Sequence, residues 1–278
     1  MISRRSALAY LVAASLVPMR AHADAGLPRM EVRESLAKRF ADDGTAGVFV
    51  AYDPSAKTLV GSDAQRAAQA ILPASTFKIA NSIIALETGV VADPDRDMFK
   101  WDGVTRAFPE WNRDHTLRSA IAASAVPVYQ EIARRVGAER MQALVDKLDY
   151  GNRDIGGAPI DYFWLSGNLR ISPLQQIEFL ERLRRGALNV SERSQDLTRD
   201  ILPATKVGSA IIRAKSGLIG VDDKSANGAV ASVGWLVGWA ERDGNETVFA
   251  LNIDVREPRH IASRVKLAQQ LLADIGAV

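Results

Sequence analysis

Residues Ile71 to Gly89 read ILPASTFKIANSIIALETG, and four letters inside that stretch, Ser75-Thr76-Phe77-Lys78, decide how the surrounding chain is read. A hydroxyl and an amine stand three residues apart where the apolar spacing turns helical. Pro73 and Ala74 precede them in a pattern that stops a strand or loop and starts a helix, and Gly89 fits the C-terminal end of that helix. Ser75 then falls in the first turn, where free backbone N–H groups and the helix dipole favour developing negative charge. Lys78, at i+3, shares the face of Ser75, so the amine can reach the hydroxyl. Ile79, Ile83 and Ile84 draw the same helix into a core.

An ordinary lysine, with a pKa of about 10.4, is roughly a thousandfold too protonated at neutral pH to act as a base. Burial among apolar groups lowers that value, because the charged form loses its hydration. A neutral amine can serve as a base or react further. The competing reading is a capping serine beside a lysine that reaches out to solvent; on this motif alone the two stand even. Ser-x-x-Lys occurs twice more, as Ser35 with Lys38 and as Ser263 with Lys266, and for these a helix with a polar face is the reading adopted.

Upstream, AGVFVAYDPSAKTLVGSD (46–63) reads as two apolar strands around a turn at Asp53-Pro54-Ser55. Downstream, the spacing stays helical to about Asp200, with Ile132 and Val136, then Ile177, Leu180 and Leu183, on common faces. The charged patch NVSERSQDLTRD (189–200) reads as a solvated loop or helix end. From Ala210 the texture returns to β: AIIRAKSG, VASVGWLVGWAE, a turn at Arg242-Asp243-Gly244-Asn245, and TVFALNID. A last amphipathic stretch, Ile261 to Ile275, completes the chain as a helix. The expected fold is α+β: an antiparallel sheet formed from both chain termini, flanked by helices, with a helical lobe inserted and a site in the cleft between them.

Met1 to Arg5 carry two arginines, the apolar run SALAYLVAASLVPM follows, and Ala21-His22-Ala23 offers small residues for cleavage. Residues 1–23 are therefore expected to be a secretory signal peptide, with 24–278 as the catalytic domain. The adjacent arginines lack the fuller twin-arginine pattern, which leaves the Sec and Tat routes both open. No later segment approaches the roughly 20 apolar residues of a membrane span, so no membrane association is expected after cleavage. Cleavage would remove Arg4, Arg5 and Arg20 and no acid, leaving 32 bases against 33 acids and a net charge of −1. Basic residues are interleaved with acids throughout, which argues against nucleic acid as a partner. There is no cysteine, so the core alone must stabilise the domain. With only His115 and His260 left, no metal site of the usual kinds assembles.

Further motifs separate the two readings of Ser75. Ser124-Ala125-Val126 ends a helical segment, and Lys215-Ser216-Gly217 ends a strand. The order Ser-x-x-Lys, Ser-x-Val, Lys-Ser-Gly is similar to the layout of penicillin-recognising serine enzymes. PASTFKIANS, FKWDG, LRSAIAASAVPVYQEIARRVG, YGN (150–152), FWLSGNLRIS (163–172) and GWLVGW (234–239) narrow the likeness. From about Gly47 to the C-terminus, the chain resembles a class D, oxacillinase-type serine β-lactamase. Leu236 stands where many relatives have a second tryptophan, and Lys-Ser-Gly replaces the commoner Lys-Thr-Gly. Both departures bear on substrate profile rather than reaction class.

The resemblance implies a fold, a reaction and a set of roles. Lys78 takes up carbon dioxide, from bicarbonate, to become N6-carboxylysine; no other cofactor is implied. Val126, Trp164 and Leu165 line the carbamate pocket, with the Trp164 indole N–H donating to the carbamate. Ser75 is the nucleophile, carboxylated Lys78 is the base for acylation and deacylation, and Ser124 relays a proton to the leaving nitrogen. The N–H groups of Ser75 and Leu218 form the oxyanion hole. Lys215, Ser216, Gly217 and Arg264 hold the substrate carboxylate, with Arg259 as the reserve arginine. The partners are small β-lactam antibiotics, the setting is secreted or periplasmic in a Gram-negative host, and monomer and homodimer both stay open. Competing readings are a penicillin-binding DD-peptidase, a β-lactam sensor domain and a Ser-His-Asp hydrolase. The first is disfavoured by Phe77 with Trp164, the second by the missing membrane tether, and the third by the missing Gly-x-Ser-x-Gly elbow.

Overall fold

A computed structural model describes residues 26–220 and 232–278. The expected signal peptide, residues 1–23, lies outside the described residues. The elements are β1 (Glu31–Val32), α1 (Glu34–Asp42), β2 (Gly47–Asp53), β3 (Thr58–Gly61), α2 (Ala64–Ala68), a 3-10 turn (Ala74–Phe77) and α3 (Lys78–Glu87). After a second 3-10 turn (Pro109–Trp111) come α4 (Leu117–Ala122), α5 (Val126–Val136), α6 (Ala138–Leu148), α7 (Phe163–Ser166), α8 (Pro173–Arg184) and α9 (Glu192–Ile201). The chain finishes with β4 (Ala204–Val207), β5 (Ala210–Ile219), β6 (Val233–Arg242), β7 (Asn245–Asp254) and α10 (Arg259–Asp274).

The seven described strands make one sheet in the order β1-β3-β2-β7-β6-β5-β4. Its N-terminal and C-terminal halves join where β2 pairs antiparallel with β7, Val48 opposite Asn252. The expected hairpin forms as β2–β3, and the Asp53 carboxylate closes its turn by accepting from the Ser55 and Ala56 N–H groups at 2.8 and 3.0 Å. The sheet departs from a purely antiparallel one at a single pair: β1 runs parallel to β3. Two residues of strand are too short for a period-two pattern, so the sequence carried no signal for it.

Side chains alternate across β6. Trp235, Val237 and Trp239 enter the core shared with the helical lobe, while Leu236 and Ala240 enter the core under α1 and α10. Burial on both faces explains the near-continuous apolar runs of β2, β6 and β7. The lobe, residues 64–201, is inserted between β3 and β4, and α8 lies against β2, β6 and β7.

The patch 189–200, expected as a solvated loop or helix end, is only partly solvated: it forms α9, packed against α3 and α8 with Ser194, Gln195, Thr198 and Ile201 buried and Glu192, Arg193, Asp196 and Asp200 exposed. Its buried polar residues, Ser194, Gln195 and Thr198, are internal because they have partners. The Glu87 carboxylate accepts from the Ser191 and Ser194 hydroxyls at 2.6 and 2.7 Å, and Gln195 bonds the Leu188 backbone at both ends of its amide. Hydropathy alone reads such residues as exposed.

Candidate active site

Strand β4 covers only the first four residues of β5, Ala210 to Arg213. Beyond Ala214, whose N–H donates to the Pro203 carbonyl at 3.0 Å, β5 is therefore a sheet edge, and the 3-10 turn carrying Ser75 packs against it. Gly217 makes this approach possible: a Cβ there would lie 3.1 Å from the Pro73 carbonyl oxygen and 3.2 Å from Thr76 Cγ2. Trp235, across from Gly217 on β6, donates its indole N–H to the Leu72 carbonyl at 3.0 Å and fixes the loop entering the turn. Lys-Ser-Gly thus lies inside β5 rather than at its end, and the strand runs on to Ile219.

Ser75 is half-buried within the turn, one residue before the wholly buried Thr76. Ala74, just ahead of it, has φ +48°, in the left-handed region that a non-glycine residue seldom occupies. Lys78 opens α3, is fully buried, and places its Nζ 2.7 Å from Ser75 Oγ. Among the described residues no carboxylate pairs with it. Burial, reinforced by the charge of Lys215, holds the Lys78 amine well below the usual lysine range. Beneath the amine lies the Tyr129 ring, 5.3 Å from Nζ. The Ser82 hydroxyl donates to the Lys78 carbonyl at 2.8 Å, so Tyr129 must donate its own proton to Ser82 Oγ, also 2.8 Å away.

Trp164, in α7, is fully buried and stacks on Phe77 at 5.7 Å between centroids. Its Nε1–H has no partner among the described residues. A buried indole donor left unpaired costs roughly 1–3 kcal/mol, so a group belongs there that can accept. A carbamate on the buried Lys78 amine, whose charged form burial disfavours, would fit that requirement. Leu165, next in α7, and Val126, first residue of α5, are half-buried.

Ser124 sits at the corner between α4 and α5 with φ +52°. The corner is held by the Ala125 N–H to Ala120 carbonyl bond at 2.9 Å and by the Trp111 indole, which donates to the Ala123 carbonyl at 3.1 Å. Lys215 is buried, donates to the Ser216 carbonyl at 2.9 Å, and is pushed down to about 7 by burial and by the charge of Arg264.

Arg264 reaches the same edge from α10. It donates to the Gly217 carbonyl through Nη1 and to the Ile261 carbonyl through Nε, while its stem crosses Gly234, where a Cβ would clash with Cδ. Arg259, the reserve arginine, starts α10, and its guanidinium pairs with Glu257 and Asp43. The side chain of Leu218, after Gly217 on the edge strand, is exposed. Sequence reading missed Ser82, one helical turn beyond Lys78, and Tyr129, three residues beyond Val126; their i+4 and i+3 spacing is the signal that could have found them. It also missed the Gln176 amide, which donates to Thr76 Oγ1 at 3.0 Å behind the nucleophile turn.

The arrangement combines a hydroxyl, a fully buried amine held well below the usual lysine range, a second hydroxyl at a fixed corner, and a cationic strand edge. Such a set suits acyl transfer to serine from a substrate bearing a carboxylate.

Comparison with known proteins gives the same answer. The family model for the penicillin binding protein transpeptidase domain matches residues 43–275. The chain is 42% identical over 241 residues to beta-lactamase OXA-10 of Pseudomonas aeruginosa, covering 87% of this chain and 88% of that one. It is 40% identical over 264 residues to beta-lactamase OXA-48 of Klebsiella pneumoniae, with 95% of each covered. Among solved structures, the class D β-lactamase YbXI from Nostoc superimposes with a TM-score of 0.81 at 40% identity, over 89% of this chain and all of that one.

Proposed function

This chain belongs to the class D serine β-lactamases, which hydrolyse β-lactam antibiotics through an acyl-enzyme and so confer resistance, and on that premise we propose the part each residue plays. Ser75 Oγ is the nucleophile. It gives up its proton on the Lys78 side as it attacks the lactam carbonyl, whose oxygen is received by the N–H groups of Ser75 and Leu218. Ser124 passes a proton to the departing lactam nitrogen. Lys215, Ser216, Gly217 and Arg264 grip the substrate carboxylate, and the Gly217 contact of Arg264 holds that guanidinium at the strand edge.

Lys78 works as N6-carboxylysine. Carbon dioxide, drawn from dissolved bicarbonate, supplies there an anionic oxygen base that a lone amine does not provide. Trp164 Nε1–H would hold it, and Val126 and Leu165 would screen it from solvent. The observation that carries this reading is a fully buried Lys78 with no carboxylate beside it, together with a Trp164 donor that has no partner, both among the described residues. Residues 1–23 direct export, and the mature enzyme acts outside the cytoplasm, in the periplasm of a Gram-negative host.

Hydrolysis of a chromogenic cephalosporin in bicarbonate-depleted buffer, then after adding bicarbonate, tests the base. Turnover should rise on addition, and a carbamate signal should appear with 13C-labelled bicarbonate. Trp164→Phe should raise the bicarbonate needed for half activity by about 10- to 100-fold. Undiminished turnover without bicarbonate, together with no carbamate signal, would rule the carboxylysine out.

A further inference from the structure

Next to the catalytic cleft, on the α10 face of the sheet, a cavity of about 180 Å³ opens along β5. Ile212, Ala214 and Ser216 alternate onto that face, and Leu236, directly opposite Ser216 on β6, shares it. Val265 and Ala268 of α10 form the facing wall, and Ala122, two residues before Ser124, closes the lobe side. The walls are mostly apolar, with Thr205, Ser216 and Gln269 as the neutral polar exceptions; no acidic residue lines them among the described residues. Their one cation, Lys215, has its Nζ engaged by the Ser216 carbonyl. Val265 is 46% exposed, so the mouth is open.

We propose that this cavity is a subsite for the substituent a bicyclic β-lactam carries on the ring carbon next to its carboxylate-bearing carbon, and that it takes small uncharged groups. The inference rests on the reading of Ser216 and Arg264 as the carboxylate anchor. Ser216 belongs to that anchor and to the cavity wall. A carboxylate held there puts the neighbouring ring carbon one bond from the carbon that bears it, with its substituent facing Leu236 and Ala214. Apolar walls favour hydrocarbon, and Gln269 and Thr205 tolerate a neutral polar atom. Leu236, paired with Ser216, sets how deep the group can enter.

Two cephalosporins with the same acyl side chain, one with hydrogen and one with propenyl at the 3-position, read the subsite directly. Leu236→Phe narrows the cavity, and Val265→Trp, at an exposed helix position that folding tolerates, covers its mouth. Each should raise the KM of the propenyl compound about tenfold relative to the unsubstituted one. A ratio that stays within twofold of the native enzyme in both variants overturns the subsite. Arg264→Ala should raise KM for both compounds alike; if it moves neither, the carboxylate anchor itself has failed, and the subsite with it.

Discussion

Helix α1 and the 3-10 turn that leads into α3 carry the same Ser-x-x-Lys spacing in opposite surroundings. In α1, Lys38 donates to both carboxylate oxygens of Asp42 at 2.8 and 2.9 Å, and its side chain is 72% exposed. In α3, Lys78 is 0% exposed, faces no carboxylate among the described residues, and has Ser75 Oγ at 2.7 Å. The third copy, in α10, turns its serine to the Asp43 carboxylate at 2.8 Å. Spacing brings a hydroxyl and an amine onto one helix face; only burial without a counter-charge makes the amine basic in the useful sense. The motif is chemistry in α3 because β5, α5 and α7 close around it.

The largest break in this contrast is Lys78→Met, which converts α3 into an ordinary core helix. Turnover should fall by about 10³-fold or more, since the base is gone. Denaturant unfolding should at the same time show a protein more stable by about 1–3 kcal/mol, because a buried amine without a counter-ion is replaced by an apolar side chain of similar volume. Loss of activity without any gain in stability would mean that Lys78 is better paired than its surroundings indicate.

Lys215 offers a smaller and reversible test. In the folded enzyme its amine is held down at about 7, while in the unfolded chain it keeps its proton to near 10.5. Between these values unfolding takes up a proton, so stability rises with pH from about 7 to 10.5; below about 7 both states hold the proton and the slope vanishes. Lys78, also lowered, adds a slope of the same sign. Melting curves from pH 7 to 9 should therefore climb more steeply for the native enzyme than for Lys215→Met. Equal slopes would place the Lys215 amine in contact with water.

Lys38→Ala gives the smallest effect and closes the comparison. An exposed i,i+4 pair contributes little, so the melting temperature should move by less than about 2 °C and turnover should not change. A large loss would show that α1 depends on its ion pair more than on Leu36 and Phe40, its buried residues.

Much of the molecule was legible one segment at a time. The period-two runs around Asp53 and Gly244, the helical texture between them and the terminal helix all follow from local spacing, and they appear where expected. Ser75, Lys78, Ser124 and Lys215 stood out because several short motifs occur in one order. By contrast, β1 and α9 were hidden. The first is two residues held by a neighbour; the second buries polar groups whose partners, Glu87, the Leu188 backbone and the backbone of its own first turn, come only with the fold.

The amino-acid sequence by itself determined the alternation of strand and helix, written in periodicity, and the identity of the chemical groups, written in motif order; the reaction class followed from the family those motifs resemble. The tertiary structure decided which of three equivalent spacings becomes reactive, and it separated Arg264 at the β5 edge from Arg259 at the start of α10. It also decided that the Trp164 N–H would be left without a partner among the described residues and that Leu236 would border an open cavity. Desolvation and close approach are properties of the space between distant segments. Periodicity records only which face of an element is turned inward, so what meets that face is settled by the fold.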